Sequence, residues 1–149
     1  MKKEITQIQK KIVSLLRKYG KGTLSELSQD HCSEISRLAA FWLSAKMPDA
    51  KFSILKGAGI TKGDKHDVLL IQTSREFWLA DPTIWQFFPR KRSIYLGKFD
   101  NLEEAKTFLG KTYGGRWKVS EEMDKKSFRE KNEWQRIIKE NLKDTNGTT

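Results

Sequence analysis

The chain has 149 residues, of which 37% are hydrophobic and 32% charged, and its formal net charge is +10. This length suits one domain with its own core, and the positive charge favours acidic partners: nucleic acid, an anionic membrane or an acidic protein face. The single cysteine excludes an internal disulfide. No segment approaches the roughly 20 apolar residues of a transmembrane helix, and residues 1–20 lack the apolar core of a signal peptide. We therefore expect a reduced, cytoplasmic protein.

Two helices are predicted near the N-terminus. Apolar residues recur every three or four positions over residues 4–19, with lysines on the opposite face, and Gly20 ends this helix. A second apolar stripe over 35–43 indicates another helix, which Asp30 begins as the N-cap and which ends before Pro48.

The middle of the chain has the pattern of β-structure. A short strand is predicted over 51–56, and two further runs, "HDVLLI" and "EFWLAD", are separated by four polar residues, which is typical of an antiparallel pair. Pro82 ends the second run because it has no backbone N–H to donate to a sheet.

One more helix and a strand are predicted before the C-terminal segment. Asp100 and Glu103 have the spacing of a capping box, and apolar residues at helical spacing follow them. The segment "YGGRWKV" indicates a turn and a final strand. We therefore predict an α+β fold in which helices pack on an antiparallel sheet.

The composition changes at Glu121, after which charged residues predominate. We divide the chain into a domain over 1–120, an amphipathic helix over 121–143 that docks on it, and a disordered tail over 144–149. The apolar side of this helix could also bind a partner or a membrane surface, but docking on the rest of the chain is the favoured interpretation.

His66 and Asp81 are expected to meet across the predicted hairpin. They are equidistant from the midpoint between Thr73 and Ser74, so without a bulge they lie opposite each other, with Cβ atoms about 4.5–5.5 Å apart on one face. A carboxylate in that place can bond one ring nitrogen of the imidazole and fix its tautomer. The pair therefore has the form of an oriented general base.

Cys32, the one thiol of the chain, is expected at the second or third position of the helix that Asp30 begins. Unpaired N–H groups and positive potential at a helix N-terminus favour the thiolate, which is the nucleophilic form, and a neighbouring imidazolium favours it further. Together with His66 and Asp81, Cys32 would complete a triad of nucleophile, base and orienting carboxylate.

Three segments carry these residues in chain order: "HCSEISRLAAFWL", "HDVLLI" and "FWLADPT". They resemble the core of transglutaminase-like enzymes, within the wider papain-like group, in which a cysteine opens a helix, a histidine opens a strand and an aspartate ends the next strand. The resemblance implies a papain-like or transglutaminase-like core with Cys32 as nucleophile, His66 as general base and Asp81 as its orienting partner. The backbone N–H of Cys32 and the side chain of Gln29 are the candidate donors of an oxyanion hole.

The resemblance also implies an activity: a cysteine-dependent amide hydrolase or acyltransferase that acts through a thioester, on a protein glutamine side chain or a peptide bond, without a cofactor or metal. Arylamine acetyltransferases and bacterial glutamine deamidase effectors share the same order of residues, so deamidation, crosslinking and proteolysis all stay open. A protein or peptide substrate with an acidic surface suits the net charge of +10. The small size suits a toxin or effector, for which export by a route without a cleaved signal stays open.

The sequence also allows three other interpretations. A metal site is disfavoured because His31 and Cys32 are adjacent and no C-x-x-C or H-x-x-x-H spacing accompanies them. The main alternative is a basic nucleic-acid-binding domain without catalysis, since "FFPRKRSIYLGK" interleaves basic and aromatic residues. A solvated loop whose aromatic residues pack in the core is the favoured interpretation of that segment. A fold that has lost its chemistry is disfavoured because all three triad residue types are present.

Overall fold

The computed structural model describes residues 1–147 as five α-helices, a five-stranded sheet and two short 3-10 helices. The α-helices are α1 (Lys2–Tyr19), α2 (Leu24–Ser28), α3 (Cys32–Lys46), α4 (Leu102–Tyr113) and α5 (Lys131–Gly147). The strands are β1 (Lys51–Ala58), β2 (Lys65–Gln72), β3 (Phe77–Asp81), β4 (Tyr95–Phe99) and β5 (Arg116–Met123). The 3-10 helices are Ile84–Gln86 and Ser127–Glu130. None of the helices in this part of the chain is both long and apolar enough to cross a membrane.

All neighbouring strands of the sheet are antiparallel, in the order β4-β3-β2-β1-β5, which confirms the predicted α+β class. The central strand β2 is buried without interruption from His66 to Ile71, so both faces of the sheet must be covered. Asp67 contacts Arg37 of α3, whereas the ring of His66 contacts the ring of Tyr113 in α4. Because neighbouring strand residues point to opposite faces, α3 and α4 lie on opposite sides of the sheet.

The helices α1, α3 and α5 pack against one another, and α3 lies on β1 and β2. Their inward faces carry the apolar stripes that the helical spacing predicted. The most deeply buried of these residues are Ile8, Ile12, Leu16, Leu38, Leu43 and Ile138. Each such side chain contributes about 1.5–3 kcal/mol relative to an exposed one, so this layer is a main source of the stability that holds α3 on the sheet.

The start of α3 lies one residue later than predicted. His31, not Asp30, occupies the N-cap position, so Cys32 is the first residue of the helix. Asp30 instead adopts a φ of 63°, in the left-handed region that short polar residues tolerate better than most. This sharp turn follows α2, a helix too short for hydrophobic periodicity to indicate, although Thr23 and Glu26 form its capping box.

The capping box predicted for α4 is also shifted by one residue. Asn101, rather than Asp100, is the N-cap, and its side chain accepts a hydrogen bond of 2.9 Å from the N–H of Glu104. Glu104 in turn accepts a bond of 3.3 Å from the N–H of Asp100. Because Glu103 and Glu104 are adjacent, both registers satisfy the sequence pattern, and the packing of the helix selects one of them.

The C-terminal boundaries differ from the predicted ones as well. Glu121, expected to open the docking helix, belongs to β5, and α5 begins at Lys131. α5 continues to Gly147, past residue 144, where a disordered tail was expected. Residues 148 and 149 of that expected tail lie outside the described residues.

The hairpin of β2 and β3 has a register two residues away from the predicted one. Its turn spans 73–76 and is therefore centred later than expected. The ladder pairs Leu69 with Ala80, so Asp81 is not directly opposite His66. A shift of two residues nevertheless keeps side chains on the same face, and diagonal neighbours about 7–8 Å apart remain within reach of longer side chains. His66 and Asp81 therefore still meet.

Gly57 makes room for a side chain next to this pair. It lies opposite His66 on one neighbouring strand and opposite Trp117 on the other, and a Cβ added to it would lie 2.6 Å from the Trp117 ring. We expect Gly57→Ala to lower the free energy of unfolding by about 1–3 kcal/mol, because the indole must move.

Urea denaturation measures this effect, and Gly63→Ala provides the matched control. A Cβ on Gly63 would find its nearest neighbour, Ile60 Cδ1, at 3.8 Å, so this variant should keep the stability of the parent chain. Equal stability of the two variants would contradict the packing described for Trp117.

Candidate active site

Asp81, the last residue of β3, is buried at 1% exposure and accepts hydrogen bonds from three neighbours. His66 Nε2–H donates to Oδ2 over 2.9 Å, and the Tyr113 hydroxyl donates to the same oxygen. The backbone N–H of Thr83 donates to Oδ1 over 3.0 Å, as in an Asx-turn. These donors offset the cost of burying a carboxylate.

The imidazole of His66 is fully buried. Three aromatic rings pack around it, with centroid distances of 4.5 Å to Phe87, 5.2 Å to Tyr113 and 6.2 Å to Trp117. Burial by itself would lower the pKa of His66, but the charge and hydrogen bond of Asp81, together with smaller contributions from Cys32, raise it to about 10. The ring is therefore an imidazolium at neutral pH, held by a carboxylate.

Cys32, the first residue of α3, is half-buried and is the member of this group with exposed surface. Its influence on the pKa of His66, through hydrogen bonding and charge, requires the thiol to lie beside the imidazole. Nε2 is engaged with Asp81, so Nδ1 is the nitrogen left to exchange a proton with the thiol. Nδ1 is buried and has no hydrogen-bond partner within residues 1–143; catalytic hydrogen bonds are often long or poorly aligned before substrate binds.

An ion-pair network holds the start of α3 against β2. Arg37 Nη1 donates to the Ser33 carbonyl (3.1 Å) and hydroxyl (2.6 Å), and to Asp67 Oδ2 (3.3 Å). Ser33 directly follows Cys32, and Asp67 directly follows His66. The network therefore ties together the two backbone segments that carry the thiol and the imidazole.

The predicted oxyanion donors have different surroundings. Gln29 is exposed, and its side-chain amide donates to the Gln86 carbonyl over 3.4 Å, at the long end of the hydrogen-bond range. The N–H of Cys32, by contrast, belongs to the first residue of α3 and has no intrahelical acceptor. Of the two, the Cys32 N–H is the donor fixed next to the sulfur.

His31 lies beside the thiol in the chain but is not bonded to the triad residues. It is buried at 4% exposure, and burial lowers its pKa against the opposing charges of Glu34 and Asp30. Within residues 1–147, its Nδ1 has no hydrogen-bond partner. The same stretch contains no group of three or more His, Cys, Asp and Glu residues arranged to hold a metal ion.

Sequence reasoning did not identify Phe87, Tyr113 and Trp117 as parts of the site. Tyr113 ends α4 and reaches Asp81 from 32 residues further along the chain. Burial and the charge of Asp81 raise the pKa of Tyr113, so its hydroxyl remains a donor. No local motif indicates such contacts, because they arise when α4 packs on one face of the sheet beside its edge strand β5.

The tertiary structure thus brings His66 and Asp81 into contact, and the half-buried thiol of Cys32 is among the groups that raise the pKa of His66. Comparisons of the chain with protein-family models, curated proteins and solved structures found no match. The chemistry of these side chains is therefore what bears on function.

The raised pKa of His66 predicts a pH-dependent stability. The folded value of about 10 exceeds the value of about 6.5 in an unfolded chain, so protonated His66 stabilises the fold below pH ~6.5, and this contribution disappears as the pH rises toward 10. Urea denaturation of the parent chain and of His66→Gln should show a difference in unfolding free energy that shrinks over this range.

Ring-proton NMR provides an independent check, because His66 should show no titration through neutral pH. A stability difference that does not depend on pH, or a His66 resonance that titrates near 6.5, would contradict the ion pair.

Proposed function

We propose that the protein is a cysteine-dependent amide hydrolase or acyltransferase of the transglutaminase-like or papain-like kind. Cys32 is the nucleophile, His66 the acid and base, and Asp81 the group that orients the imidazole. The observation that supports this most is a buried, carboxylate-bound imidazolium, whose pKa is raised in part by a part-exposed thiol at a helix N-terminus. A thiolate in such a place is the reactive form of cysteine.

The first half of the reaction forms a thioester. The thiolate attacks an amide carbonyl carbon, a C–S bond forms, and the carbonyl electrons move to the oxygen, which accepts a hydrogen bond from the Cys32 N–H. As the tetrahedral intermediate collapses, the C–N bond breaks and Nδ1–H of the imidazolium gives its proton to the departing nitrogen. A glutamine side chain releases ammonia in this step, and a peptide bond releases a new amino terminus.

The second half returns the free enzyme. Water or an amine attacks the thioester, Nδ1 of the now neutral His66 takes its proton, and the C–S bond breaks. Water yields a carboxylic acid, which is deamidation or proteolysis, and an amine yields a new amide, which is crosslinking or acyl transfer. The residues described need no cofactor for either half.

A protein or peptide with an acidic surface is the substrate that suits a net charge of +10, and a role as a toxin or effector remains part of the proposal. The nucleic-acid alternative has weaker support. Phe87 and Phe88 pack against Tyr113, and Tyr95 stacks on Phe108, so these rings are already engaged and do not form a free platform for bases.

Alkylation with limiting iodoacetamide tests the nucleophile. The nucleophilicity of a thiol rises beside an imidazolium, so we expect His66→Gln to lower the rate of Cys32 alkylation at least about tenfold at neutral pH.

Asp81→Asn should give an intermediate loss, because the amide still holds the ring but no longer carries charge. Cys32→Ser identifies the labelled site, and circular dichroism establishes that each variant is folded. Identical, ordinary thiol behaviour in the parent chain and in folded His66→Gln would overturn the triad.

Mass spectrometry of cellular proteins tests the reaction itself. Cells that express the parent chain should accumulate glutamine-to-glutamate conversions, new amino termini or new isopeptide bonds, depending on the acceptor. Cells that express Cys32→Ser at the same level provide the background. Products that are equally abundant with both chains would show that Cys32 performs none of these reactions.

A further inference from the structure

A basic loop lies against the aromatic wall of the triad. It spans residues 87–92, which we call the cationic loop, and its residues Arg90, Lys91 and Arg92 are exposed. None of these three cations forms an ion pair with a carboxylate within residues 1–143, whose side chains the structure describes. By contrast, Arg37 and Arg136 both do. The unpaired charges are therefore available to a ligand.

The loop is held in place by its backbone. The Trp85 indole N–H donates to the Lys91 carbonyl over 3.0 Å, and the N–H of Lys91 donates to the Phe88 carbonyl over 3.1 Å. Gln9 of α1 donates to the Arg92 carbonyl over 3.1 Å. A site on this loop would be largely formed before binding, which lowers the entropic cost of association.

The start of the loop is next to the reactive residues. The Phe87 ring lies 4.5 Å from that of His66, and Lys62 donates to the Phe87 carbonyl over 3.3 Å while its Nζ lies 5.7 Å from the Phe88 ring centroid. Lys62 thus borders the aromatic wall of the triad, and the three loop cations follow Phe87 and Phe88 within five residues of the chain.

Two pockets adjoin on the phenylalanines of this loop. One, of about 520 Å³, is lined by Phe87, Phe88, Pro89, Arg90 and Lys91. The other, of about 120 Å³, is lined by Thr61, Lys62, Phe87, Phe88, Thr112 and Tyr113. Both combine apolar walls with an ammonium or guanidinium group at the rim, a combination that suits a peptide with an acidic residue beside an apolar one.

We infer that Lys62 and the cationic loop form the substrate-binding surface of the enzyme and that they bind an acidic segment of a protein substrate next to the bond that Cys32 attacks. This inference rests on the proposed function and adds the place and the chemistry of recognition. A peptide is favoured over nucleic acid because Phe87 and Phe88 are packed edge-to-face on neighbouring rings. Asp30 and Glu34 lie two residues before and after Cys32 in the chain, so the attraction for anions must come from the loop cations.

Two alkylators of similar size but different charge test this surface without a known substrate. The ratio of the Cys32 alkylation rates with anionic iodoacetate and neutral iodoacetamide reports the local potential. In Arg90→Glu/Lys91→Glu/Arg92→Glu this ratio should fall about threefold to tenfold at low ionic strength, and the difference should vanish in high salt.

The matched control reverses three exposed cations at the other end of the sheet: Lys125, Lys126 and Arg129. These residues follow Met123, which pairs with Phe52. Phe52 lies near the opposite end of β1 from Gly57, the residue that pairs with His66. The control should keep the parent ratio. An equal fall in both variants would show a general effect of net charge and would overturn the inference.

A glutamate-rich decapeptide should also slow iodoacetamide alkylation of the parent chain more than an oligodeoxythymidylate of equal charge does. Stronger protection by the oligonucleotide would overturn the inference in favour of nucleic acid. If Cys32 has ordinary reactivity with iodoacetamide alone, the proposed function fails. If Cys32 is activated but the charge ratio does not depend on the loop, only the substrate surface fails.

Discussion

The buried contact between His66 and Asp81 is the constraint on which the site depends. An imidazolium and a carboxylate without exposed surface are stable inside a protein only when each finds its partner and additional hydrogen bonds. Tyr113 and the N–H of Thr83 supply those bonds to the carboxylate, and Phe87 is one of the rings that enclose the imidazole. For the pair to be buried, α4, β5 and the segment after β3 must therefore all pack around this end of the sheet.

The side chain of Arg37 links the backbone segment that carries the thiol to the segment that carries the imidazole. Arg37 bonds both the residue after Cys32 and the residue after His66, and its Nη2 also donates to Glu121 of β5 over 2.8 Å. A single guanidinium thus joins α3, β2 and β5. Such a bidentate, multi-point contact suits arginine, whose planar fork presents several donors in a fixed geometry. The residue that carries the thiol is thus held by a helix that is anchored on the sheet.

Exposure is distributed unevenly over the site. The acid–base pair is closed to solvent, the sulfur is half-open, and the cations of the loop over 87–92 are fully outside. A dry environment strengthens the electrostatic interactions of the pair, and in the function that we propose, access is needed only where a substrate carbonyl must approach. On the same proposal the positive charge of the chain has a local role, because the exposed loop cations closely follow Phe87, whose ring contacts that of His66.

The sequence alone determined the α+β class, the presence of the long helices and the pairing of His66 with Asp81, because helical periodicity, strand alternation and chain order are local patterns. It could not determine the register of the hairpin, since the turn is centred one residue later than symmetry suggested, or the N-cap of α3, which is His31 although Asp30 is the residue type that favours this position. Only the tertiary structure decided that Tyr113 bonds Asp81 and that Trp117 packs over Gly57. Those contacts join segments distant in the chain, and their geometry depends on how whole elements pack rather than on any local spacing.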